Sequence, residues 1–325
     1  MGLSKYFVRR ALFAIPLIIV IITINFILVH LAPGDPIAYI VGTEYVSPEY
    51  IERLRAEYGL DRPLWEQYWI YMAKVLSFDL GYSYRYREPV INVIIERLPA
   101  TLILMLTAIT WATLAGIAIG VRAALNPGGG MDRLATTLAT ISVSIPTFWL
   151  GLLLIIFLGG SLKIFPTQGM VSPSNIGYKE LSQELILDIM WHLVLPSITL
   201  GTAYLGIYIR TVRSLLVDEL GKDYVLLAIA KGLRNSYIVW RYAFRAASPS
   251  IMAIIGLNIG TMLAGATLTE TVFAWPGMGR LIYESAIARD YPVILGIFIF
   301  VSISVIVANL VVDMINAILD PRIRY

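Results

Sequence analysis

A helix needs about 20 consecutive apolar residues to cross the hydrocarbon core of a bilayer, and this sequence supplies six such stretches. They run near residues 11–31, 100–121, 134–160, 190–209, 246–269 and 292–312, and none contains an Asp, Glu, Lys or Arg. The composition agrees: 58% of residues are hydrophobic and 14% are charged. Soluble domains carry about 25% charged residues, so this chain has too little polar surface to cover a water-facing exterior. The sequence therefore predicts an all-α integral membrane protein with six transmembrane helices. Pro146, inside the long third stretch, predicts a kink or an irregular outer end there.

Charge sets the orientation. Lys5, Arg9 and Arg10 precede the first stretch. This resembles the start of a signal peptide, but the apolar run is long and five more follow, so an uncleaved first span is expected. With both termini cytoplasmic, the inner segments are 1–10, 122–133, 210–245 and 313–325. They hold 14 Lys and Arg against 6 acids, and the outer segments hold 11 against 16. The inside is thus +8 and the outside −5, as the positive-inside rule requires.

Two loops are too substantial to be plain connectors. The outer one, 32–99, reads as a helical cap. Ser47, Pro48 and Glu49 have the N-cap, first-turn proline and acid of a helix start, with Gly59 ending that helix. Residues 64–78 form a second helix lying at the interface, with Trp65, Trp69 and Tyr71 as interface anchors or, as the alternative, ligand-stacking residues. Residues 89–97 form a third, stopped before Pro99. The inner loop, 210–245, carries half of the inner positive charge. It reads as two short helices, one with early acids and Gly232 just past its end, the other over about 236–246. From charge alone, such a hairpin suits either docking to a cytoplasmic partner or contact with lipid headgroups.

Covalent chemistry finds no support. Without cysteine, disulfides, thiol catalysis and Cys-ligated metals are excluded. His30 and His192 are the only histidines, so no metal site is expected. The phosphate-binding G-x-x-x-x-G-K-[ST] pattern is absent. Gly128, Gly129 and Gly130 read as a turn between the second and third spans. The spans lack the ionisable groups that mark proton or ion pathways. They do carry polar stripes: Thr137, Thr140, Ser144 and Thr147 in the third, and Asn258, Thr261 and Gly265 in the fifth. These hydroxyls and amides either bond within and between helices or line a water-filled path. Gly116 and Gly120 have the G-x-x-x-G spacing of close helix contacts.

Long stretches of the sequence resemble a known family. The segments 223–249, DYVLLAIAKGLRNSYIVWRYAFRAASP, and 270–296, ETVFAWPGMGRLIYESAIARDYPVILG, are similar to permease subunits of ATP-binding-cassette importers, closest to the dipeptide/oligopeptide branch. So are LAPGDP (31–36), LDRPLWEQY (60–68), PVINVIIERLPATL (89–102) and Asp320-Pro321-Arg322. The resemblance implies a permease core over 100–325, after an N-terminal span, 1–31, and an extracytoplasmic helical loop, 32–99. It implies a coupling helix in 210–245 that docks on an ATPase subunit. The matching positions are Asp223, Tyr224, Ala228, Ala230, Lys231, Gly232 and Leu233. Leu226 and Leu227 stand where the wider family pattern has Glu and Ala, so an ion pair from that acid is not expected here.

The same resemblance implies that this chain is a non-catalytic subunit in the cytoplasmic membrane of a prokaryote. ATP and magnesium would be bound by two separate ATPase subunits. A second, homologous permease and an extracytoplasmic solute-binding protein would complete the importer. Thr140, Ser144, Asn258 and Thr261 are the candidate lining of a neutral translocation path. The solute would be a di- or oligopeptide, with oligosaccharides, nickel or glutathione as alternatives. A membrane scaffold without transport activity is the reading from another class.

Overall fold

The computed structural model describes residues 3–31, 47–49, 52–53, 56, 61–83, 85–175 and 182–319. The helix start at Ser47 lies at the edge of the described residues, whereas Gly59, most of LAPGDP and Asp320-Pro321-Arg322 lie outside them. The chain is mostly helical. Helix α1 (Leu3–Leu31) is followed by α2 (Leu64–Leu76) and a short antiparallel hairpin, β1 (Tyr82–Ser83) with β2 (Glu88–Pro89). Then come α3 (Val90–Ala124), α4 (Gly130–Ser144) and α5 (Thr147–Leu154), which continues as a π-helix, Ile155–Ser161. Helix α6 (Gln183–Leu220) leads into α7 (Asp223–Ala230). One turn at Asn235–Tyr237 passes through a π-helical stretch, Ile238–Phe244, into α8 (Arg245–Gly265). Short α9 (Thr267–Val272) and α10 (Met278–Ala288) precede α11 (Tyr291–Leu319).

Among the described residues, α3, α6 and α11 are each long and apolar enough to cross a membrane. Helices α4 and α5 qualify together, but they are bent by 97° at their junction. The cause is Pro146, which cannot donate to the helical ladder and holds Ile145 extended, at φ −80° and ψ 122°. The bend corrects the four-residue stripe of the third span. Thr137, Thr140 and Ser144 share the exposed face of α4, but Thr147 begins α5 beyond the break.

Two further expectations are corrected. The helix over 89–97 does not stop before Pro99. It starts at Val90, after Pro89, and runs unbroken through Pro99 to Ala124, so α3 also crosses the boundary at residue 99. The helix over 236–246 is likewise no separate unit, because it is continuous with α8.

Helices α3 and α6 form the centre of the fold. Their backbones approach closely at the G-x-x-x-G positions: a Cβ on Gly116 would lie 2.5 Å from Cβ of Tyr208, and one on Gly120 would lie 2.8 Å from Cβ of Val212. Trp111 of α3 lies on Gly201 of α6 and donates to the Ser197 carbonyl at 3.0 Å. Helix α11 packs on α1 and α8 around this pair. On the far side of the bundle from α7, Ser83 of the hairpin donates to buried Asp290 at 2.6 Å and ties β1 to the start of α11.

Candidate coupling surface and translocation path

Helix α7 follows α6 after only Gly221 and Lys222. Asp223 sits in its first turn, where a carboxylate favours the helix dipole. Val225 and Ala228, three residues apart, bury one face against Ile238, Leu220, Leu233 and Tyr242. The opposite face carries Leu226 and Leu227, with Ile229 at its edge; they are 52%, 57% and 52% exposed, beside exposed Ala230 and Lys231. Three large aliphatic side chains held out by an eight-residue helix make a contiguous apolar surface.

The end of α7 is built by Gly232, at φ +74°. The Gly232 amide donates to the Ile229 carbonyl at 2.9 Å and the Leu233 amide to the Ala228 carbonyl at 3.3 Å. Those two bonds define a Schellman cap, whose left-handed residue strongly favours glycine. Leu233 then folds back onto the Val225–Ala228 face, the usual apolar contact of this cap. At the other end, Tyr224 donates to Glu219. Partial burial, together with this carboxylate, pushes the Tyr224 phenol up to about 12, so it remains a donor.

The sequence-derived coupling residues therefore separate into two layers. Tyr224, Ala230 and Lys231 are exposed. Ala228 lies beneath, packed against Ile238, and Gly232 makes the reversal. Leu226, Leu227 and Ile229 complete the outward face. With Val225 and Ala228 inward, helical periodicity turns Leu226 and Leu227 outward, so their signal was present in the spacing; Ile229, four residues after Val225, lies at the edge of the buried face and its exposure was not.

The polar path candidates are dispersed. Thr140 and Ser144 are exposed on α4, although Thr140 donates to the Thr136 carbonyl of its own helix at 2.9 Å. Asn258 on α8 is buried, beside Tyr208 of α6. Thr261 belongs to α8, and its side chain lies outside the described residues. Arg210 of α6 reaches α4, within 3.4 Å of the Thr140 hydroxyl. No group of three or more metal-ligating side chains occurs among the described residues.

The structure is similar to a chain of the MetNI methionine ABC transporter in an inward-facing conformation, with a TM-score of 0.57 and 16% identity. The match covers 71% of this chain and 97% of that one. The fold is that of an ATP-binding-cassette importer permease. Residues 116–325 match the model described as binding-protein-dependent transport system inner membrane component, and residues 3–105 match the model of its N-terminal region.

This chain belongs to that family and is a multi-pass inner-membrane protein. It is 38% identical over 335 residues to the dipeptide transport system permease protein DppB of Escherichia coli K12, covering 99% of both chains. It is 37% identical over 321 residues to the glutathione transport system permease protein GsiC of the same strain, again covering 99% of both.

Proposed function

We propose that this chain is the non-catalytic transmembrane subunit of an ATP-driven importer of short peptides. The observation that carries the substrate class is the 38% identity with a dipeptide permease along 99% of both chains. Glutathione, the solute named for a second full-length relative, is itself a tripeptide, so both relatives fall in one chemical class. An extracytoplasmic binding protein delivers the peptide. Two cytoplasmic ATPase subunits bind ATP and magnesium, and one of them receives the exposed face of α7. A second, homologous permease supplies the other half of the path and the other docking helix.

The six spans in this reading are α1, α3, the bent pair α4 and α5, α6, α8 and α11. An ion pair of 2.8 Å between Arg10 and Asp313 supports the same side for the start of α1 and the end of α11. The inward charge excess makes that side cytoplasmic. The Cys-free chain allows a direct check. Single cysteines at exposed Ser77 and Ser174 are expected to react with an impermeant thiol reagent added to intact cells, and one at exposed Ser236 only after lysis. Outside labelling at 236 refutes the topology.

Thr140, Ser144, Asn258 and Thr261 are assigned to a neutral route between the two permeases. A fixed buried charge there would demand an opposite charge on every solute. Ser144 is exposed and can face such a route, whereas the exposed Thr140 has its hydroxyl held by the Thr136 carbonyl and beside the Arg210 guanidinium. Asn258 reaches it only if α8 moves relative to α6. The function is tested by reconstituting the four-subunit importer with its binding protein in proteoliposomes. ATP-dependent uptake of radiolabelled alanyl-alanine is expected, and uptake of maltotriose is not. The Ser144→Leu variant is expected to assemble normally and to lose at least tenfold in uptake. Uptake of the sugar alone overturns the peptide assignment, and wild-type uptake by Ser144→Leu removes Ser144 from the path.

A further inference from the structure

Helix α6 grips α4 along one face. Gly206, Arg210 and Arg213 are spaced i, i+4 and i+7 and therefore share a side of the helix. At Gly206 the backbones come so close that a Cβ would lie 2.5 Å from the Ala139 carbonyl oxygen. One turn on, Arg210 Nη2 donates to that same carbonyl at 3.3 Å and lies 3.4 Å from the Thr140 hydroxyl. At the end of the face, Arg213 holds Asp132 through both guanidinium branches, Nε to Oδ1 and Nη2 to Oδ2, the latter at 2.7 Å. Asp132 is 4% exposed and also accepts from the Gly128 amide at 2.7 Å, which fixes the turn before α4. Ala135 and Ala139 of α4 pack with Ile209 of α6 and Ala123 of α3 in one buried apolar cluster beside this face.

The position of this clamp matters. Helix α6 is unbroken from Gln183 to Leu220 and passes into α7 within two residues. Lys222 and Tyr224 both bond Glu219, the penultimate residue of α6, and Leu220 packs under α7. A displacement of α7 therefore moves the inner end of α6. Helix α4 bears Thr140 and Ser144 and ends at the 97° bend. Bidentate guanidinium–carboxylate pairs fix orientation as well as distance, and packed helices transmit movement by rigid shifts against one another.

We infer that the Asp132–Arg213 pair, aided by Arg210, is the linkage that carries movement of α7 through α6 to α4. It makes opening of the path follow events at the ATPase. This inference rests on the importer reading given above. Asp132 and Arg213 are positioning residues: they touch neither solute nor nucleotide and act through the placement of α4.

The test uses the complete importer in proteoliposomes, with alanyl-alanine as probe and the ratio of ATP hydrolysed to peptide imported as readout. A merely structural role lowers yield or melting temperature and leaves this ratio unchanged in the complexes that assemble. Arg213→Gln and Asp132→Asn are expected to raise the ratio at least tenfold. The exchanged pair, Asp132→Arg with Arg213→Asp, restores the ion pair but not the acceptor for the Gly128 amide, so it is expected to bring the ratio below that of the single variants without reaching wild type. Arg213→Lys keeps the charge but cannot make both bonds, so it decides the matter if the other single variants do not assemble. Its ratio is expected to rise several-fold. A wild-type ratio in Arg213→Lys, or an exchanged pair no better than the single variants, overturns the inference. A wild-type complex that imports no peptide instead marks failure of the substrate assignment.

Discussion

An importer assembled with Leu227→Asp and Ile229→Asp in α7 is expected to lose its ATPase subunits on purification. It is also expected to show no peptide uptake, although the permease itself inserts and is recovered. These two side chains, 57% and 52% exposed, are two of the three large aliphatic groups exposed on α7, with Leu226 the third. Fully burying a leucine- or isoleucine-sized side chain is worth about 1.5–3 kcal/mol. Because each is only about half exposed before docking, replacing both forfeits roughly 1.5–3 kcal/mol and adds two carboxylates that must be desolvated. Since 1.4 kcal/mol is a tenfold change, the lost apolar burial alone weakens docking by about one to two orders of magnitude. The hairpin survives because its own packing uses Val225 and Ala228 on the other side. Ala228→Trp is the contrasting variant. It forces an indole into the Ile238 contact and is expected to disrupt the hairpin itself, with loss of the permease as well. Retention of the ATPase by the double aspartate variant, judged by co-purification and by substrate-stimulated ATP hydrolysis, refutes docking through this face.

The membrane character of the chain was legible in its sequence because it rests on local composition. An uncharged apolar run of about 20 residues has few alternatives to a spanning helix. The reversal at Gly232 was legible for a related reason. A glycine just after an apolar helical segment supplies the left-handed residue that a Schellman cap requires, and its φ is +74°. The close approach at Gly116 and Gly120 was visible as spacing, although the partner, α6, was not.

What depends on tertiary cover was hidden. Pro99 reads as a helix stop, yet α3 continues through it, whereas Pro146 does break its helix. Both prolines are exposed, and nothing in the structure explains why only one of them breaks its helix. The clamp by Arg210 and Arg213 joins residues about 70 to 80 positions apart, and no periodicity in either helix names the partner. Ala228 matches the family pattern but faces its own hairpin, since a pattern of residue types does not distinguish the docking layer from the layer that supports it.

Glu270 poses the same difficulty in sharper form. It follows the fifth apolar stretch and reads as the first residue of an outer loop, yet it is fully buried. Its carboxylate accepts from the Thr101 hydroxyl of α3 at 2.7 Å and from the Arg280 amide of α10 at 3.0 Å. Arg280 is the third residue of α10, and Gly277, before that helix, has no side chain with which to cap it. Glu270 therefore caps α10 from a distance. The guanidinium of Arg280 turns to Glu284 instead, at 2.7 Å. Burial pushes the Glu270 carboxyl up, while the Thr101 hydroxyl and the amides at the helix N-terminus favour its charged form. Thr101 completes the junction by accepting from the Met278 amide at 2.8 Å.

Glu270→Ala leaves a buried hydroxyl and a buried amide without their acceptor. Bonds to a charged group are worth about 1.5–3 kcal/mol each, so the expected loss is roughly 3–6 kcal/mol. Glu270→Gln keeps one acceptor oxygen but turns an amide donor toward other donors, so it should cost less than alanine and still more than a surface substitution. The measurement is thermal unfolding of the purified complex in detergent. Under this account the melting temperatures fall in the order wild type, Gln, Ala, and Thr101→Val, which removes the hydroxyl from the same junction, falls with them. An Ala variant as stable as wild type means that α10 is held by its apolar contacts with α3 and α11 alone.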